Sequence, residues 1–105
     1  SRGLGDVYKR QIQERMEALQ EELRTTMVTG ESGAGLVKAT ATAKGELTGL
    51  DIDPSIFNPE EKEVVEDLIL AAIKDAQTKA AEKSQAEMAS LTESFGFPAG
   101  MKLPF

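Results

Sequence analysis

The sequence contains no cysteine and no histidine. Without cysteine there is no disulfide framework, no thiolate zinc site and no thiol nucleophile. Without histidine the chain lacks the commonest general base, the commonest metal ligand and the usual partner of a nucleophilic serine. These absences argue against an enzyme, and we expect no cofactor and no small-molecule substrate. A chain without cysteine also suits the reducing cytoplasm, which is the expected location.

Long apolar runs are also missing. The longest one covers residues 68–73, whereas a membrane-spanning helix needs about 20 apolar residues. No signal peptide is visible at the start of the sequence. We therefore expect no membrane partner.

Positive charge is in short supply. The 105 residues include 12 Lys and Arg against 18 Asp and Glu, which gives a net charge of −6. That sign argues against binding to a nucleic acid by bulk attraction. The length allows one domain with a modest core, and association with a second copy is a common way to stabilise such a chain when disulfides and metals are absent.

Residues 1–10 differ in character from the rest of the chain. They lack an initiating methionine, contain two glycines and show no helical period. We interpret residues 1–10 as a non-native or disordered leader and residues 11–105 as the single domain. The leader contributes a charge of +2, which leaves −8 on the remainder.

An amphipathic helix is predicted over residues 11–25. Its apolar residues recur at spacings of four, three and four, which places them on one narrow face. A short helix with such a seam needs a partner in order to be stable. The chain's own sheet and a second helix are equally good candidates for that partner. The seam consists of Ile12, Met16, Leu19 and Leu23.

Three strands come next, over residues 26–32, 36–44 and 47–52. The middle strand alternates between apolar and polar residues, which indicates a sheet with one face in water. Short connections that contain glycine predict an antiparallel meander. The residues expected on the covered face of the middle strand are Val37, Ala39, Ala41 and Ala43.

A long helix is predicted from Pro59 to about Thr92, with Asn58 as its N-cap. Its middle is apolar on almost all sides, so one small sheet covers only part of it. A second copy of the chain is the simplest cover for the rest, which predicts a homodimer. The tail from Gly96 onward is expected to be non-helical and to dock through its apolar residues. The dimer-interface candidates are Val65, Leu68, Ile69, Ala72, Ile73 and Ala76.

No motif in the sequence carries catalytic or metal chemistry. The glycines of residues 30–35 lead into a strand, whereas a phosphate-binding loop needs a following Lys and a helix. The many carboxylates fit solvated helix faces and helix starts, and they form no metal-ligand loop. Basic residues are few, and their pattern alone fits a solvated surface better than a nucleic-acid site. The DNA-binding candidates are Arg15, Arg24, Lys38, Lys44, Lys74, Lys79, Lys83 and Lys102.

Four separated stretches of the sequence form a specific pattern in a fixed order: residues 28–38, residues 52–54, residues 66–76 and the ending over 97–105. This pattern resembles the YbaB/EbfC family of bacterial nucleoid-associated proteins, and the match runs from about Gln11 to Phe105. Residues 1–10 match nothing in the family, and its usual lead into the first helix is missing.

The resemblance implies an α+β fold: a helix, a three-stranded antiparallel sheet and a long helix, in a homodimer with projecting helical arms. It also implies binding of double-stranded DNA in the nucleoid and a gene-regulatory role. Because arginines do not cluster, we expect contacts mainly with the phosphate backbone. The alternative hypothesis is an acidic protein-interaction adaptor linked to DNA replication or repair.

Overall fold

The computed structural model describes residues 2–98 and confirms the predicted α+β architecture. In chain order, one helix precedes a three-stranded antiparallel sheet and a longer helix follows it, with short turns at Gly33–Gly35, Pro54–Ile56 and Pro59–Glu61 between elements. The helices and strands, in chain order, are α1 (Arg2–Thr25), β1 (Met27–Ser32), β2 (Val37–Thr42), β3 (Leu47–Ile52) and α2 (Lys62–Ser94).

The sheet has the strand order β1-β2-β3, and the alternation predicted for the middle strand is confirmed. Val37, Ala39 and Ala41 are fully buried, and their neighbours across the sheet share the same face, here called the inner face. The helix α2 lies over the inner face of β1 and β2. The third strand, β3, is exposed along almost its whole length.

A glycine allows α2 to approach β1 closely. A Cβ built on Gly30 would lie 2.6 Å from the carbonyl oxygen of Ala72 and 2.6 Å from the Cα of Ala76. Both alanines are fully buried inside the chain. The sequence placed both alanines at the dimer interface, and this prediction is wrong. Their small side chains pack against β1 of the same chain, so no surface of Ala72 or Ala76 is exposed to a second copy.

The first helix begins earlier than predicted. It starts at Arg2 instead of residue 11, because extending a formed helix costs little and isolated glycines such as Gly3 are tolerated. The Tyr8 hydroxyl donates a hydrogen bond to the carbonyl of Phe95 at 2.9 Å, and the two rings meet edge to face. The predicted helix start at residue 11 is thus wrong, while the interpretation of residues 1–10 as a non-native or disordered leader stays a prediction.

The apolar seam of α1 packs against α2 of the same chain, which answers the question that the sequence left open. Leu19 and Leu23 are buried together with Leu91 and Ala43, and Phe95 packs against the edge of this cluster. The two helices form a projection, here called the arm, which consists of α1 and residues 81–94. The described chain is accordingly elongated, with extents of 71 × 21 × 16 Å.

The second helix starts through a capped turn. The Asn58 side chain accepts a hydrogen bond from the Glu60 N–H at 3.1 Å, as an N-cap does, but Pro59–Glu61 forms a 3-10 turn and the α-helix proper begins at Lys62. At the other end, Gly96 has a φ of 86° and terminates the helix. The predicted docking of the tail falls mostly on residues 99–105, which lie outside the described residues.

A carboxylate on α2 fastens the edge of β1. Asp75 accepts hydrogen bonds from the Glu31 N–H at 2.9 Å and from the Lys79 ammonium at 3.0 Å. The Glu31 bond, followed by the Lys79 bond, lowers the pKa of Asp75 below its ordinary value. Both bonds favour the ionised carboxylate, so this contact, here called the Asp75 clamp, links β1 to α2 most strongly when Asp75 is charged.

The Asp75 clamp predicts a pH dependence of stability. Because the pKa of Asp75 is depressed in the folded state, its contribution is complete above the unfolded pKa and is lost as pH falls through the folded pKa. Urea unfolding of wild type and Asp75→Asn between neutral and acid pH measures it. We expect the difference between the two free energies of unfolding to shrink steadily on acidification. A difference that is the same at every pH would contradict the clamp.

Candidate nucleic-acid interface

Three of the predicted DNA-binding residues are held in ion pairs. Arg24 contacts Glu21 at 3.3 Å, Lys79 contacts Asp75 at 3.0 Å and Lys83 contacts Glu87 at 3.0 Å. The hydrogen bond to Asp75 also raises the pKa of Lys79, so this lysine stays charged. Such exposed pairs add little stability. They do place a negative charge beside each cation, which weakens its attraction for a phosphate.

Three more DNA-binding candidates lie on separate surfaces of the chain. The Lys44 ammonium hydrogen-bonds the side-chain oxygen of Gln20. Lys38 lies on the outer face of β2, opposite Glu31 of β1 and Asp51 of β3. Lys74 is exposed on α2, and within residues 2–98 neither Lys38 nor Lys74 forms an ion pair. Lys102 lies outside the described residues.

Arg15 is the candidate on the arm that has an aromatic partner. Its guanidinium lies over the ring of Phe95, 5.6 Å from the ring centroid. The side chains of Glu14, Glu22 and Glu87 line the shallow grooves beside it. In the part of the chain that the structure describes, none of these carboxylates is in ion-pair contact with Arg15.

One chain does not bring the candidates together into a single basic patch. Lys79 and Lys83 are one helical turn apart on α2 and both are paired, whereas Arg15 lies on the arm and Lys38 on the outer sheet face. Scattered cations of this kind can contact phosphates along a duplex, but they do not form the convergent set of donors that reads base edges.

Sequence reasoning missed two basic residues on the arm. Lys9 and Arg10 were set aside with the leader, but α1 runs continuously from Arg2 through them to Arg15. The signal that favours continuity is the absence of proline between residues 2 and 25. Including these residues makes the N-terminal half of α1 the most basic part of the arm.

Other kinds of site find little support. Across residues 2–98, no group of three or more carboxylates is arranged to hold a metal ion. None of the helices described there is both long and apolar enough to cross a bilayer. The lowered pKa of Asp53 has a structural cause, since its carboxylate accepts hydrogen bonds from Ser55 at the turn after β3.

Known proteins resemble this chain in both sequence and structure. A nucleoid-associated protein of Agrobacterium fabrum (strain C58 / ATCC 33970) is 46% identical over 96 residues, which is 91% of this chain and 90% of that protein. The crystal structure of an uncharacterized protein from Helicobacter pylori superposes with a TM-score of 0.70 at 26% identity, covering 84% of this chain and 91% of that one.

The family assignment rests on most of the chain. The sequence model of the YbaB/EbfC DNA-binding family matches residues 8–95, which include most of α1, the whole sheet and α2. The match, the identity to the Agrobacterium protein and the fold agree with the resemblance found in the sequence. This chain belongs to the YbaB/EbfC DNA-binding family.

Proposed function

We propose that this protein is a nucleoid-associated protein that binds double-stranded DNA as a homodimer and contacts mainly the phosphate backbone. One observation carries the proposal: a member of a DNA-binding family has, on its arm, an exposed arginine, Arg15, that forms no ion pair within residues 2–98. The name of the Agrobacterium relative supports a place in the nucleoid, within the cytoplasm. A gene-regulatory role belongs to the same proposal.

The negative net charge limits how this chain can bind DNA. A chain of −6 repels DNA at long range, and a dimer doubles that charge. Binding must therefore come from local contacts with phosphates, and on the arm Arg15 is available for such a contact because it forms no ion pair within residues 2–98. Such binding releases counterions and weakens steeply as salt rises.

The homodimer is proposed from the uncovered inner face of β3. In the sheet register Leu50 is opposite the buried Ala39, and Leu47 is opposite the buried Ala41. Both leucines therefore lie on the inner face, yet they are 50% and 41% exposed because α2 covers only β1 and β2. In a dimer with two-fold symmetry, each chain buries this face against the same face of the other chain. The dimer-interface candidates that remain, all partly buried on α2, are Val65, Leu68, Ile69 and Ile73.

Fluorescence anisotropy of labelled duplex DNA tests the DNA-binding proposal. The full chain is titrated at several salt concentrations, beside a variant with Lys9→Gln and Arg10→Gln. We expect saturable binding by both proteins, with a slope of log affinity against log salt of about −0.9 for each phosphate contacted. Wild type that fails to bind at low salt would refute the proposal. If wild type binds and the variant does not, the DNA contact depends on Lys9 and Arg10 in the leader.

A protein-interaction adaptor is the second candidate function, and a pocket favours it. A cavity of about 300 Å³ at the start of α2 is lined by Phe57, Pro59 and Val65, among other residues. Phe57 is 63% exposed, and an exposed apolar surface of this kind suits an apolar protein segment better than DNA. Loss of DNA binding at low salt with the dimer intact would favour this candidate.

A further inference from the structure

Phe95 is fixed in place at the end of α2. Its ring packs against the buried cluster that contains Leu19 and Leu91. Its backbone N–H donates to the carbonyl of Thr92 at 3.2 Å, directly after the last helical residue, Ser94, and Gly96 follows with a φ of 86°. The ring therefore has a defined position relative to α1, and one of its faces is presented to the guanidinium of Arg15.

The contact with the ring leaves Arg15 able to bind an anion. A guanidinium has five N–H donors in its plane, and a contact with an aromatic ring brings no negatively charged group to compete for them. An ion pair does the opposite, as in Arg24, whose Nε is 3.3 Å from a carboxylate oxygen of Glu21. Arg15 and Arg24 thus have the same charge, lie on the same helix and are both exposed, but only Arg15 keeps its donors clear of a carboxylate within residues 2–98.

We propose that Phe95 is a positioning residue for DNA binding, which holds the Arg15 guanidinium on its ring so that the arginine donors meet a backbone phosphate. This inference rests on the proposed function. It adds a specific phosphate contact and the residue that orients it. Phe95 itself does not touch the DNA; it acts by limiting the conformations of Arg15, so less freedom is lost when the phosphate binds.

The first test compares Arg15→Gln with Arg24→Gln, because each removes one positive charge from α1. Anisotropy titrations at several salt concentrations give the affinity and its salt dependence. We expect Arg15→Gln to reduce the salt slope by about 0.9 for each phosphate that the variant no longer binds. Arg24→Gln should leave the slope nearly unchanged. Equal slopes for the two variants would overturn the role of Arg15.

The second test isolates the ring. Phe95→Leu should weaken DNA binding roughly two- to fivefold, the loss expected for an exposed cation–π contact, while Phe95→Tyr keeps the ring and should bind like wild type. In the Arg15→Gln background, Phe95→Leu should have no further effect. An equal loss in both backgrounds would show that Phe95 only supports the fold and would overturn the proposal. If wild type does not bind DNA at all, the proposed function fails first, and that outcome is seen before any variant is made.

Discussion

Replacing Gly30 with alanine is expected to destabilise the fold by about 3 kcal/mol or more, the upper part of the range for overpacked cores. The added methyl group would collide with the backbone of α2, since its ideal position is 2.6 Å from the Ala72 carbonyl oxygen and from the Ala76 Cα. Backbone atoms cannot rotate away as a side chain can. The helix must move off β1, and this weakens the contact that buries Ala72 and Ala76.

Urea unfolding followed by circular dichroism measures this loss, and Gly49→Ala is the matched control. Gly49 is also a strand glycine, but a Cβ there meets nothing within 4 Å. Its substitution should change the free energy of unfolding by no more than about 0.5 kcal/mol, as for an unconstrained surface position. If the two variants unfold at the same urea concentration, the close approach of β1 and α2 is not a determinant of stability.

Placing a charge at Leu50 should dissociate the proposed homodimer. Leu50→Glu puts a carboxylate at the centre of the inner face of β3, where a second copy would have to bury it without a partner. We expect the dimer dissociation constant to rise at least about 100-fold, which corresponds to about 2.8 kcal/mol and lies above the hot-spot threshold of about 2 kcal/mol. Sedimentation velocity over a range of concentrations gives this constant directly.

Met27→Glu is the control for the Leu50 experiment. Met27 is as exposed as Leu50, at 55%, but it pairs with Thr42 and so lies on the outer face of the same sheet. The added charge should leave the dimer intact. If Met27→Glu dissociates the dimer and Leu50→Glu does not, the interface lies on the opposite face from the one proposed. A wild-type chain that sediments as a monomer at all concentrations would contradict the dimer itself.

The fold was predictable where short-range patterns decide it. The alternation from Val37 to Ala43 defines β2 and its buried face, because a strand presents successive side chains to opposite sides. Asn58 followed by Pro59 locates the start of the second helix to within a turn. These signals depend on neighbouring residues alone, so no knowledge of distant contacts was needed.

Short-range patterns did not predict where α1 starts or which surface Ala72 and Ala76 face. Residues 2–10 have little helical signal of their own, and the helix extends through them by continuation from a stronger segment. The apolar middle of α2 indicated burial on several sides but not which side meets the sheet. Gly30, on a distant strand, decides that Ala72 and Ala76 face inward.

The candidate interface was the least predictable part. Nothing in the sequence favours one basic candidate over another. The structure distinguishes them by their contacts: Lys79 pairs with Asp75, Lys83 pairs with Glu87, and Arg15 contacts the ring of Phe95. Lys83 and Glu87 are four residues apart, a spacing that sequence can suggest. The Arg15–Phe95 contact joins residues far apart in the sequence, so no local sequence pattern could predict it.

We propose that two copies of this chain together bind one DNA duplex through its phosphates. Sedimentation velocity with labelled duplex and separately detected protein counts the chains in each complex at low and at moderate salt. We expect complexes that contain an even number of chains and that dissociate as salt rises. Duplex that sediments as free DNA at low salt, or complexes that hold a single chain, would contradict it.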